Sequence, residues 1–215
     1  MKNELLKRFI RISYFAMLTV IGALVRYNIE PLPITLQAFF AVLGGIIIGA
    51  FDGAAAQLLY FILGMIGLPV FAYGGGYTYI FEPTLGYLIG MIGGAYVTGI
   101  TLRRFKTLKF PTMFVCGIIG LAVIYVFGGA YQLIIFMTVR GFSFAAAAGT
   151  LLYLPLSFAV QAVALLIASL IYPKVKTMIG SINKENIKDN GMPLPPNPKQ
   201  PDPTVNSRYG QKKRV

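Results

Sequence analysis

The chain has 215 residues, 56% hydrophobic and 12% charged, with 19 lysines and arginines against 7 acids and a formal charge of +12. Soluble domains are about a quarter charged, so this low share, set around long apolar runs, excludes an ordinary soluble domain and places the chain in the membrane class. A single cysteine (Cys116) excludes an internal disulfide, the lack of histidine argues against a metal site, and no G-x-x-x-x-G-K-[ST] motif provides an ATPase site.

Crossing the hydrocarbon takes about 20 apolar residues. Six runs approach this, at roughly 9–27, 32–50, 54–71, 84–102, 111–138 and 144–172. The first follows "MKNELLKRFIR" without a cleavage-site pattern behind it, so it is expected to stay as a span. The second carries Gly44, Gly45 and Gly49 and leads into a tight "GAFDGAA" turn, where Asp52 is expected to serve the turn. Pro69 is expected to end the third run. The fourth places Gly86, Gly90 and Gly94 on one helical face, which suits close packing inside a bundle or docking of a partner helix. Pro155 should kink or break the sixth run, because it lacks an amide proton and crowds the preceding turn.

Basic residues give the orientation. With six spans, one side holds Lys2, Lys7, Arg8, Arg11, Arg103, Arg104, Lys106, Lys109, Lys174 and Lys176, whereas the other has Arg26 and Arg140. The positive-inside bias puts both termini in the cytoplasm. The fold expected is therefore an all-α, multi-pass bundle of six transmembrane helices in a cell membrane, in contact with lipid. Residues 1–173 form the bundle and 174–215 a basic, proline-rich tail, disordered from Ser181 onward. The charge excess reads as a topology signal, so no nucleic-acid partner is expected.

Chemistry is sparse. Within the bundle the acids are Glu4, Glu30, Asp52 and Glu82, and no Ser-His, Cys-His or paired-acid arrangement can be assembled. No catalytic residue, cofactor or metal is therefore expected. A binding site is easier to build. The outside loops hold Arg26, Tyr27, Asn28 and Glu30, then Tyr73, Gly74, Gly75, Gly76, Tyr77, Thr78, Tyr79 and Glu82, then Arg140. Aromatic walls with a few polar groups suit a small ligand, and glycines let a loop fold inward between helices. The amides of Gln37 and Gln161 sit in apolar spans, where each must bond a neighbouring helix or face a cavity. Gln57 suits the helix-to-helix role.

The stretch "PLPITLQAFFAVLGGIIIGAFDGAAAQLLYFILGMIGLPVFAYGGGYTYIFEPTLGYLIG", residues 31–90, resembles the BioY family, the biotin-binding S components of energy-coupling factor (ECF) transporters. The likeness rests on P-x-P-x-T-L-Q, G-L-P-V-F, the glycine loop and G-P-T-x-G-Y-L-x-G in that order, the last with Glu82 in place of its first glycine. It continues more loosely through "YVFGGAYQL" and the sixth run. It implies a six-helix bundle with a vitamin-sized pocket near the outer face, in which Gln37, Gly74 to Gly76, Tyr77, Tyr79 and Tyr87 are pocket or lid residues. It also implies a transmembrane coupling protein and two ATPase subunits as partners, whose ATP hydrolysis topples the bundle. Small residues of the first span, here Ala16, Thr19, Val20 and Ala23, would touch the coupling protein.

The chain departs from the family pattern in its sixth span. An aspartate and a lysine usually found there have no counterpart in "LPLSFAVQAVA", which offers Phe158 and Gln161, or Ser157 and Val160 in the neighbouring register. Glu82 at the pocket rim is the candidate replacement for the missing acid, with Arg140 as a possible carboxylate partner. Biotin is the leading ligand. Another small molecule carried by the same machinery is the first alternative, and a membrane scaffold or small enzyme the second.

Overall fold

The computed structural model describes residues 2–29, 32–105 and 109–189, with backbone alone for 2–3, 28–29, 32 and 173–189. Glu30, Lys106 and the tail from residue 190 lie outside the described residues. The elements are α1 (Lys2–Leu24), β1 (Arg26–Ile29), β2 (Leu32–Thr35), α2 (Gln37–Ile47), α3 (Ala50–Met65), α4 (Leu85–Phe105), α5 (Phe110–Thr138), α6 (Phe144–Gly149) and α7 (Leu154–Asp189). Single 3-10 turns cover Tyr77–Phe81 and Thr150–Tyr153. The chain divides into two units, residues 1–173 and 174–215. In the second unit, helical backbone is assigned as far as Asp189.

Among the described residues, three segments are long and apolar enough to cross a membrane: Leu85–Phe105, Phe110–Thr138 and Phe144–Tyr172. The run expected at 32–50 is not one long helix. Its first residues pair instead with β1 as an antiparallel hairpin, Arg26 opposite Thr35 and Asn28 opposite Pro33. Pro33 has no amide proton to give a third strand, and a two-stranded ribbon asks for none. The "RYNIEPLP" loop is thus partly a β-hairpin, which an all-α reading omits. Helix α2 has 11 residues, about half the length needed to span hydrocarbon. The turn into α3 falls at Gly49, whose φ of 92° suits glycine. Helix α3 stops at Met65, before Gly67 (φ 106°), so glycine rather than Pro69 ends it.

Pro155 acts as expected. The sixth run is α6, a 3-10 turn and α7, and Pro155 occupies the first turn of α7, where its missing amide proton costs no helical bond.

Glycines set the helix contacts. A Cβ on Gly90 would meet the backbone of Ile124 at 2.9 Å and one on Gly94 the carbonyl of Gly120 at 2.8 Å; Gly86 packs on Tyr131. The Gly86–Gly90–Gly94 face therefore packs on α5 inside the bundle and leaves no room for a partner helix. Gly45 meets the Ala95 carbonyl of α4, and Gly53 packs on Gly45 across the α2–α3 turn.

Helix α1 lies against α2 and α3. Ala16, Thr19 and Ala23 are buried within the chain, and Val20 packs against the core. Gln57 Nε2 donates to Thr19 Oγ1 at 3.1 Å, and Thr19 donates to the Phe15 carbonyl at 3.0 Å. The small residues expected to meet a coupling protein thus serve internal packing, because small side chains are what let α1 approach its neighbours. Gln57 has the helix-to-helix role expected of it. Asp52, in the first turn of α3, is held by Arg8 at 2.6 Å and lies 3.9 Å from Arg11. Its charge also complements the positive end of that helix.

Candidate functional site

The glycine-rich loop connects α3 to α4 and folds inward. Gly74 and Gly76 have φ of 109° and 103°, with ψ of 170° at Gly76, a region all but closed to residues with a Cβ. Gly75 lies so close to the Leu68 carbonyl that a side chain would displace it. The Gly76 amide donates to the Gly64 carbonyl at 2.8 Å. These constraints bury Phe71, whose ring packs on Gly64 and lies 4.6 Å from that of Tyr79 and 5.4 Å from that of Tyr60.

The loop is tied on two sides. Arg26 of β1 donates to the Ala72 carbonyl and stands 5.9 Å from the centre of the Tyr73 ring. On the other side, Tyr131 of α5 donates to the Ile80 carbonyl, and Arg140 lies 3.6 Å from Glu82. The hairpin, the glycine loop and the α5–α6 connection therefore gather at one end of residues 1–173.

Under them lies a cavity. Ala38, Ala72, Leu88, Met91, Leu154 and Leu156 form apolar walls, with Thr35, Gln37, Tyr79, Thr84, Tyr87, Tyr125, Ser157 and Gln161 as polar groups. Among the described residues no charged side chain lines it. Most of the polar groups already serve the scaffold. Thr35 donates to Gln37 Oε1 at 2.9 Å, Gln37 Nε2 donates to the Tyr60 hydroxyl at 2.6 Å, and Tyr60 donates to the Val70 carbonyl at 3.0 Å. Tyr79 and Thr84 share a hydrogen bond of 2.8 Å. Burial, above all, pushes the Tyr79 phenol up to about 12, so it is neutral at physiological pH. Tyr87 donates to Gln132 Oε1 at 2.7 Å, and Gln132 Nε2 donates to Thr150 at 2.8 Å, reaching the break before α7.

Of the residues expected to bind ligand, the cavity brings together Gln37, Tyr79, Tyr87 and Gln161. The others lie outside its wall. Gly74 to Gly76 shape the loop behind it, and Tyr77 is 77% exposed. Glu82 and Arg140 pair with each other at the surface, because the α5–α6 connection brings the arginine to the loop, and neither is among the residues that line the cavity. Phe158 packs edge-on against Tyr125 with ring centres 5.3 Å apart. Neither register considered for the sixth span is matched as a pair. Ser157 and Gln161, one helical turn apart, face the cavity together. Sequence reading missed Tyr125 and the supporting Gln132, although a phenol and an amide within an apolar span are the signal that singled out Gln37 and Gln161.

A model of the BioY family matches residues 1–178. The probable biotin transporter BioY of Lysinibacillus sphaericus is 39% identical over 125 residues, covering 58% of this chain and 64% of that protein, so the chain matches just under two thirds of its length. The biotin transporter BioY of Thermotoga maritima is 37% identical over 124 residues, covering 57% of this chain and 72% of that protein. That of Rhizobium etli is 34% identical over 153 residues, covering 66% and 80%. Among solved structures, the S-component for biotin from an ECF-type ABC transporter shares the fold, with a TM-score of 0.66 at 18% identity over 81% of this chain and 94% of that one.

Proposed function

Because the chain belongs to the BioY family, we propose that it is the ligand-capturing subunit of an ECF-type importer and that its ligand is biotin. What carries this reading is the cavity beneath the three gathered loops, in a chain whose relatives in three bacteria are named as biotin transporters. Gln37, Tyr79, Tyr87 and Gln161 are its ligand-facing polar groups, and the apolar walls take the rest of the molecule.

The chain captures the ligand and leaves ATP hydrolysis to partner subunits. It works in a cell membrane with a transmembrane coupling protein and two ATPase subunits, which supply the energy for release inside. The spans are α1, α2 together with the strand β2 that leads into it, α3, α4, α5 and the α6–α7 segment, six crossings in the sense that the basic residues indicate. Both termini are cytoplasmic, the loop end opens outward, and residues 174–215 form a cytoplasmic tail. The glycine loop is the lid. Its ties through Arg26, Tyr131 and Arg140 hold it over the cavity and give way when ligand enters or leaves.

The test is co-purification and uptake. Expressed beside coupling and ATPase subunits, the chain should form a complex and drive ATP-dependent biotin uptake. A chain that binds biotin but never associates with such subunits would contradict the importer reading.

A further inference from the structure

A second cavity opens at the opposite end of residues 1–173 from the three loops. The α2–α3 turn, residues 45–52, lines it, together with Arg8 of α1 and with Gly99, Leu102 and Arg103 of α4. Gly99 lets α4 close onto the turn, because a Cβ there would meet the Ala50 amide nitrogen at 2.3 Å. The cavity measures about 690 Å³, enough for a small molecule rather than a single ion. Its charge is unbalanced. Asp52 accepts from Arg8 Nε at 2.6 Å and lies 3.9 Å from Arg11, so two arginines already serve one carboxylate. Glu4, the acid of α1, is taken by Lys7 at 2.9 Å. Arg103 lines the cavity with no acidic partner among the described residues. Positive charge is therefore left over beside a wall that is largely apolar. In that wall Phe51 is 64% exposed and stands edge-on to Tyr96, with ring centres 5.4 Å apart.

A free phosphate would use the charge alone. An anionic lipid uses both features, with its phosphate on the guanidiniums and its acyl chains along the aromatic flank, at the depth where such rings sit in a membrane. Given the membrane placement proposed above, we infer that this cavity binds the headgroup of an anionic phospholipid. Arg103 and the Nη groups of Arg8 donate to the phosphate, since a planar guanidinium can give it two parallel hydrogen bonds. Asp52 is a positioning residue that holds Arg8 at the cavity, and Phe51 and Tyr96 border the lipid chains.

The experiment measures dissociation constants of the purified, detergent-solubilised chain for phosphatidylglycerol, phosphatidylcholine and inorganic phosphate by native mass spectrometry. Wild type should prefer phosphatidylglycerol to phosphatidylcholine by roughly tenfold or more. Arg103→Gln should cut that preference about fivefold, and Arg104→Gln less than about twofold. Both arginines are exposed in the last turn of α4 and complement its negative end alike, so only a site at Arg103 separates them. Wild type without a preference, or a preference that survives in Arg103→Gln, overturns the inference. Equal losses in the two variants also overturn it, because they reduce the arginines to a general basic surface. Inorganic phosphate bound as tightly as phosphatidylglycerol overturns the lipid and assigns the site to the free anion. Neither biotin nor a partner subunit enters the measurement, so every one of these outcomes leaves the proposed function standing.

Discussion

Gln37 donates to Tyr60 at 2.6 Å, and Tyr60 donates in turn to the carbonyl of Val70, so one phenol joins the start of α2, the middle of α3 and the beginning of the glycine loop. Tyr60 is fully buried, and water cannot substitute for it. Tyr60→Phe leaves a donor and a carbonyl without partners. It should cost about 1–3 kcal/mol of stability, seen as a lower melting temperature of the detergent-solubilised chain. An unchanged melting temperature would show that the bond does not carry the junction.

Gly76 and Gly75 should both resist alanine, for different reasons. At Gly76 a Cβ meets nothing within 4 Å, and the φ of 103° alone imposes a cost of about 1–3 kcal/mol. At Gly75 the φ is ordinary, and a Cβ instead strikes the Leu68 carbonyl. Each variant should loosen the loop and speed biotin dissociation. The measurement is a dissociation rate, and wild-type kinetics in Gly76→Ala would contradict the lid assignment.

Glu82 and Arg140 are 35% and 50% exposed at the side chain, and exposed pairs contribute about 0–1 kcal/mol at most. Glu82→Gln should therefore change biotin affinity by less than about threefold. A larger loss would put the carboxylate back in the pocket.

Tyr79 gives a pH signature. Its folded-state value, about 12, lies above the ordinary 10.0, so the folded chain holds this proton more tightly than the unfolded chain does. The stability it contributes is complete below about pH 10 and is lost as pH rises towards 12. The melting temperatures of wild type and Tyr79→Phe should run in parallel below pH 10. Above it, wild type should fall more steeply. Parallel curves to pH 12 would show that the phenol is not buried as described.

What was legible in the sequence followed from local chemistry. Gln37 and Gln161 stood out because an amide in an apolar run needs a partner, and the cavity supplied the setting for both. The break before Pro155 followed from its missing amide proton. What was not legible depended on distant pairing. Glu82 looked available because its partner, Arg140, lies on another connection. The run at 32–50 hid a strand because β2 is defined by Arg26–Ile29, on the far side of a turn. Ala16, Thr19 and Ala23 suit a partner helix and an internal neighbour equally well, and α2 and α3 proved to be the neighbours. Ser157 emerged only when the register of α7 set it beside Gln161 and opposite Tyr125.

The most direct test of the biotin assignment is a calorimetric titration of the purified, detergent-solubilised chain with biotin beside a panel of other vitamins. The account predicts saturable binding of biotin at one site per chain, with no comparable heat from the rest of the panel. Silence towards biotin, with another vitamin binding or with none, would contradict it.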